Sequence, residues 1–295
     1  MIPDPGPTGA TPRNERLARS VVQGLAGPSP PVIDARRIAI VAAHPDDETV
    51  GLGGQLSRLS GLRIVHVTDG APADMVDARR RGCTTREEYA ALRQEELVDA
   101  MALAGLPPAR LIPLGIADQE AAAVMAGLAQ RLADLIDGGD IGCLITHGYE
   151  GGHPDHDAAA FAVQAATALL RSRGLPVPAV LEMAGYHADP IQGGLVTGRF
   201  LPAQGSMPET VLPLSAEARA QKRRLFAAFT SQAAVLDHFR VDEERLRPTL
   251  PTDFMAPPHP GRLWYERQPW GWTGESWRAK AAEAIAQLGL EAPPW

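Results

Sequence analysis

Two runs concentrate residue types suited to hydrolytic chemistry. One is His44-Pro45-Asp46-Asp47-Glu48; the other, far downstream, is His147-Gly148-Tyr149-Glu150-Gly151-Gly152-His153-Pro154-Asp155-His156-Asp157. Carboxylates and imidazoles crowded beside a buried sheet repel one another or lose hydration unless a cation offsets them. A divalent metal is the simplest resolution, since imidazole nitrogen and carboxylate oxygen suit zinc and related ions. His44 and Asp47 stand three residues apart, as do His153 and His156, so each pair can face one point across a helical turn or tight loop. Three of these four can bind an ion and leave a position open for water, which frees other groups for proton transfer. Each run alone also fits a helix start, with Asp46 or Asp47 as a cap in the first and His153 or Asp155 in the second. Capping gives no reason for both clusters to sit on one rim.

That rim is set by the surrounding elements. Short, unbroken apolar runs at 38–43, 63–68, 110–114, 141–146 and 179–183 read as parallel strands buried on both faces. Helical stretches at 49–59, 85–104, 120–136 and from about 157 to 171 alternate with them, closed by glycines such as Gly61, Gly105 and Gly138. The alternation predicts an α/β fold: an open, mostly parallel sheet with helices on both faces. Such sheets bind ligands beyond the carboxyl ends of their strands, and both clusters follow strand ends. Residues 1–30, rich in Pro, Gly and Arg, read as a flexible arm with at most one helical piece. Residues 31–295 form one domain, with a core at 37–190 and an irregular C-terminal part, 191–295, that completes the pocket or a subunit contact. A strand at 210–214 and a helix at 215–229 lie in that part. Its five tryptophans, Trp264, Trp270, Trp272, Trp277 and Trp295, read as caps on a core or subunit contact rather than as ligand holders.

The bulk properties exclude several classes. Lys plus Arg number 28 against 35 Asp plus Glu, a net charge of -7, which gives no general attraction for nucleic acid. No apolar run suits a membrane span, and the start lacks the order of a signal peptide, so a cytoplasmic enzyme is expected. Cys83 and Cys143 lack metal spacing and read as unpaired thiols. Homo-oligomerisation stays open.

The residues resemble the PIG-L or LmbE-like deacetylases, marked by A-H-P-D-D-E after the first strand and H-P-D-H after a later one. The chain carries Ala43-His44-Pro45-Asp46-Asp47-Glu48 and His153-Pro154-Asp155-His156 without a mismatch, and the likeness runs over about 37–190. The resemblance implies a Rossmann-like sheet, Zn2+ or another divalent metal such as Fe2+, and removal of an N-acetyl group from an N-acetylglucosamine-type substrate. It implies His44, Asp47 and His156 as metal ligands, Asp46 as general base, and His153 as the group that stabilises the oxyanion and protonates the leaving amine. A free carboxylate beside an activated water, with an imidazolium opposite, is a chemically consistent division. Acids such as Asp155 or Glu150 would favour a charged His153.

Softer matches extend the site. Arg93-Gln94-Glu95-Glu96 resembles the family's R-x-x-E, and Leu114-Gly115-Ile116-Ala117-Asp118 its L-G-x-x-D, so Arg93 and Asp118 are candidate sugar contacts. Arg93 fits equally a surface charge paired with Glu96 or Glu88. Tyr149, Glu150 and His187 are further substrate-binding candidates, and Glu182 and Tyr186 could line the pocket. The loops 71–85 and 149–152 are where substrate choice is expected. Where some relatives place an aromatic two residues before H-P-D-H, this chain has Gly151, with Tyr149 as a substitute. His66 reads as a hydrogen-bonded core residue and His147 as a partner orienting a ligand, while His238 and His259 have no motif around them. One rival is an amidase of identical chemistry acting on a non-sugar or bulkier N-acyl substrate. Another is a non-catalytic nucleotide-binding module, disfavoured because no G-x-G-x-x-G follows the first strand; Gly51-Leu52-Gly53-Gly54 comes later.

Overall fold

A computed structural model describes residues 10–27, 32–202, 208–293 and 295. Seven strands form the main sheet: β1 (Ile38–Ala42), β2 (Arg63–Pro72), β3 (Leu111–Asp118), β4 (Cys143–His147), β5 (Ala179–Met183), β6 (Thr210–Pro213) and β7 (Glu243–Pro248). Their order is β6-β7-β5-β4-β1-β2-β3. The five strands β5 to β3 run parallel, with Ile40 in register with both Ile64 and Ile145. β7 pairs antiparallel with β5, and β6 pairs antiparallel with β7. Every residue of β1 is buried, as its unbroken apolar run requires.

Side chains alternate between two cores. Ala39 and Val41 face one core, where α4 (Met125–Gly138), α5 (Pro154–Ser172) and α7 (Gly274–Leu288) contribute Leu132, Phe161 and Trp277. Ile38 and Ile40 face the other, where α1 (Pro12–Ala26), α3 (Arg86–Leu103) and α6 (Ala216–Ala228) contribute Val21, Leu97 and Leu225. A capping box between Thr85 and Glu88 fixes the start of α3. Cys143 is buried in β4, and both cysteines are free.

The sequence reading departs from the structure in three places. The expected flexible arm is, over Pro12–Ala26, a packed helix: Val21 and Leu25 are buried, and Asn14 Nδ2 donates to the Val177 carbonyl at 2.8 Å. Residues 1–9 and 28–31 of that arm lie outside the described residues. The helix expected at 49–59 is instead α2 (Asp47–Leu52) and a separate turn at Leu56–Arg58. The chain is diverted there by contacts remote in sequence. Gly54 N–H donates to Glu244 Oε1 at 2.8 Å, and a Cβ on Gly54 would stand 2.7 Å from Leu214 Cδ1. Finally, β3 runs on to Asp118, where it pairs with Pro72, rather than stopping at Leu114.

Candidate active site

The turn from β1 to α2 carries His44, Pro45 and Asp46, and the first turn of α5 carries His156. The His44 N–H donates to Asp47 Oδ2 at 2.8 Å, and His44 Nδ1 lies 3.1 Å from the same oxygen. Across the sheet edge, His156 Nε2 lies 3.2 Å from Asp47 Oδ1. One donor atom each from His44, Asp47 and His156 fall within 4.8 Å of one another. His156 Nε2 is buried without a hydrogen-bond partner, a costly state that a cation relieves. His147 fixes the ring beside it. Its Nε2 accepts the Ala43 N–H at 3.0 Å, and its ring stacks on that of His156 with centroids 4.0 Å apart.

The charge balance shows the same demand for a cation. Burial would lower the His44 pKa, yet Asp118, Asp155 and Asp47 raise it well above the ordinary histidine value. Burial would raise that of Asp47, yet His156 and His147 hold it well below the usual carboxylate range. Protons on imidazole thus stand where a divalent ion fits.

A second grouping, His44, Asp118, His153 and Asp155, also falls within 4.8 Å. Asp155 is committed elsewhere: its Oδ2 accepts the Gln119 N–H at 2.6 Å and its Oδ1 the Ala121 N–H at 3.0 Å. With His44 Nε2 3.3 Å away, it holds the His44 ring in place. The set of His44, Asp47 and His156 is the better cation cradle because the other set depends on Asp155, whose two oxygens are already taken by backbone amides.

Asp46 occupies a conformation that side chains rarely adopt, φ 135° and ψ -24°, at a typical cost of about 1–3 kcal/mol. Although it precedes α2, its carboxylate caps nothing there. Instead Oδ2 accepts a 3.0 Å bond from Arg93 Nη2, which also donates to the Pro45 carbonyl. The Asp46 N–H donates to Glu48 Oε2 at 3.1 Å, and Glu48 in turn lies 3.0 Å from His66 Nε2. Burial pushes the Asp46 carboxyl up to about 7, Arg93 opposing and Asp47 reinforcing the rise. The strained turn therefore presents a carboxylate beside the cradle instead of spending it on a cap.

His153 caps α5 through Nδ1, which accepts the Asp155 N–H at 3.1 Å. That nitrogen carries no proton, so Nε2–H is the donor, 3.8 Å from Asp118 Oδ1. Burial, with the charge on His44, holds the His153 pKa well below its ordinary value. The two acids expected to favour a charged His153 are engaged elsewhere. Glu150 has turned away to Leu201 and Arg247, and Asp155 spends its charge on backbone amides.

A cavity of about 350 Å³ opens from this centre. Arg93 and Asp118 line it, as do Tyr186 and Gln119. Arg93 is buried, and neither of its expected helix partners, Glu96 or Glu88, takes it: Glu96 accepts from Thr230 and Ser231, and Glu88 from Thr84 and Thr85. Tyr149, Glu150 and His187 are not among the lining residues. The Tyr149 hydroxyl donates to the Ala256 carbonyl, with its ring against Phe254 and Trp277, so it does not replace the aromatic missing at Gly151. Glu150 and Glu182 share Arg247, and His187 Nδ1 lies 2.8 Å from the Ala188 carbonyl. Sequence reasoning missed Trp264, Trp270, Phe239 and Val235, which complete the wall from the C-terminal part. The Trp270 ring stands 4.4 Å from that of His153. Tryptophan density was the one signal there, and it divides: Trp277 is core, whereas Trp264 and Trp270 face the cavity.

Residues 39–167 match the family model described as PIG-L, GlcNAc-PI de-N-acetylase. That stretch of the chain is similar to the PIG-L family. Both motif runs fall inside it, while the tryptophan wall lies beyond it. No curated protein gives a significant match. Among solved structures, a deacetylase triple mutant of the teicoplanin biosynthetic pathway is similar at TM-score 0.55 and 19% identity, covering 74% of this chain and 99% of that one. The A40926 pseudoaglycone deacetylase Dbv21 follows at 0.53 and 20%, covering 73% and 97%. The 4-carboxy-2-hydroxymuconate hydratase GalB from Pseudomonas putida stands at 0.52 and 16%, covering 73% and 97%. The sheet is thus the mostly parallel LmbE-like fold of these neighbours, which are deacetylases and a hydratase; the reaction has to be argued from the site. Among the described residues, no helix is long and apolar enough to cross a membrane.

Proposed function

We propose that this protein is a metal-dependent N-deacetylase of amino sugars of the N-acetylglucosamine type. The observation that carries the reading is the convergence of His44, Asp47 and His156 within 4.8 Å beside the Asp46 carboxylate, which Arg93 holds in place. Those three residues would hold Zn2+ or a similar divalent ion, which supplies Lewis acidity and lowers the pKa of water.

The chain's own groups do the rest. Asp46, kept near neutrality by burial against Arg93, takes a proton from the attacking water. The Nε2–H of His153 donates to the carbonyl oxygen as negative charge develops, its direction fixed because Nδ1 is tied to the Asp155 N–H. The proton that the departing nitrogen needs comes back from Asp46, which took it from water. The acetamide C–N bond breaks, acetate leaves with the oxygen of water, and a free amine remains. Support for the acetyl group and the sugar comes from the PIG-L match and from deacetylases among the structural neighbours.

Acetate release from N-acetylglucosamine derivatives by purified protein loaded with Zn2+ or Fe2+ tests the reading. Turnover restricted to non-sugar amides would move the protein to the amidase class, and hydration of an enol or diene acid without acetate release would reject the deacetylase.

A further inference from the structure

The cavity is two-sided. One part is polar, built from the cradle, Asp46, Asp118 and His153; another is mostly apolar, with Leu195, Val235, Leu236, Phe239, Trp264 and Trp270 beside Gln232, His238 and Gln268. Leu195 and Val235 are 36% and 53% exposed, and both face this one opening. Apolar side chains around an open cavity gain free energy when an apolar ligand displaces their water.

The wall is also held in place. The Glu96 carboxylate accepts the Thr230 hydroxyl at 2.7 Å, the Ser231 N–H at 2.7 Å and the Ser231 hydroxyl at 2.5 Å. Gln232 Nε2 donates to the Tyr89 hydroxyl at 2.9 Å. Glu96 thus anchors 230–239 to the same helix that carries Arg93, one turn away. A wall ordered before binding keeps its apolar surface available without a folding cost.

Charge decides what this wall can accept. Among the described residues lining the cavity, Arg93 is the one Lys or Arg, and it is spent on Asp46 and the Pro45 carbonyl. The other fixed charges are the carboxylates of Asp46, Asp47, Asp77 and Asp118. Away from the cradle, a phosphate or carboxylate on the substrate would meet no further Lys or Arg among the described lining residues.

We infer that the substrate is an amino sugar bearing an uncharged, apolar substituent, aryl or alkyl, which lies along Val235, Phe239 and Trp264 while the acetamide sits at the metal cradle. This rests on the deacetylase reading and adds the class of group attached to the sugar.

The test compares three acetamides on the metal-loaded full chain: N-acetylglucosamine, its phenyl β-glycoside and its 1-phosphate. The phenyl glycoside is expected to show at least a tenfold higher kcat/KM than the free sugar, mostly through KM, and the 1-phosphate no gain. Val235→Asp, at an exposed position, should reduce the phenyl advantage to under threefold. Calorimetric titration of the Asp46→Asn protein reads binding without turnover, with at least tenfold tighter binding of the phenyl glycoside expected. Equal affinities for phenyl glycoside and free sugar, or a preference for the 1-phosphate, overturn the inference. Absence of acetate release together with selective phenyl binding rejects the deacetylase reading alone and upholds the apolar subsite.

Discussion

Arg93, on α3, donates a 3.0 Å hydrogen bond to the carboxylate of Asp46, forty-seven residues earlier in the chain, and a second bond to the carbonyl beside it. One guanidinium therefore both pins the strained Asp46 turn and sets how readily that carboxylate takes a proton. Several outcomes depend on this pairing.

Replacing Asp46 by Asn keeps the hydrogen bond to Arg93 but removes proton transfer. Turnover should fall by about 10²–10⁴, with metal content and thermal stability close to those of the parent. Acetate assays alongside elemental analysis read both. A variant retaining full turnover rules out Asp46 as the base.

Arg93→Met removes the cation that opposes the rise of the Asp46 pKa from burial. The base works ionised, so activity climbs with pH as Asp46 loses its proton. Without Arg93 that ionisation is harder, and the acidic limb of kcat/KM against pH should move to higher pH. An unmoved limb with a simple loss of stability would mean that Arg93 only packs.

His156→Ala and Asp47→Asn each take a donor from the cradle. The parent should show a Tm that rises with added Zn2+, because a ligand bound only by the folded state stabilises it. Both variants should lose most of that rise and retain little metal after dialysis. Stoichiometric metal in His156→Ala would disprove the assignment.

Two buried carboxylates, Glu150 and Glu182, share Arg247 as their cation. Burial outweighs Arg247 and lifts Glu182 to about 7, above its ordinary 4.5. The folded state therefore holds a proton that the unfolded chain releases, and this contribution to stability is present below about pH 4.5 and lost as pH rises through about 7. Glu182→Gln mimics the protonated form. It should match the parent at pH 5 and exceed it by on the order of 1–3 kcal/mol at pH 8 in urea unfolding. A parent as stable as the variant at pH 8 would show that Arg247 suffices for both carboxylates.

Much of the fold was readable because its signals are local. Unbroken apolar runs mark strands covered on both faces, and glycines and prolines mark where helices stop, so five parallel strands and the helices between them could be placed from residue order. The two antiparallel strands were harder: only 210–214 was marked, and β7, with Glu243, Arg245 and Arg247, reads as polar chain until it is seen paired to β5. The helical piece allowed in the arm was found as α1, but its packing was not legible because its apolar face, Val21 and Leu25, is brief and set among arginines and glycines.

The sequence alone determined the centre of the site, since His44, Asp46, Asp47, His153 and His156 sit in short motifs where a strand end and a helix start dictate which way side chains face. Tertiary structure decided which side chains surround that centre. It turned Arg93 inward to Asp46, spent Tyr149, Glu150 and His187 on other partners, and brought Trp264 and Trp270 onto the rim. The physical reason is range: a motif fixes geometry over a few residues through backbone dihedrals and hydrogen bonds, whereas a cavity wall is assembled from segments joined only by packing, and no local pattern records which of them will meet.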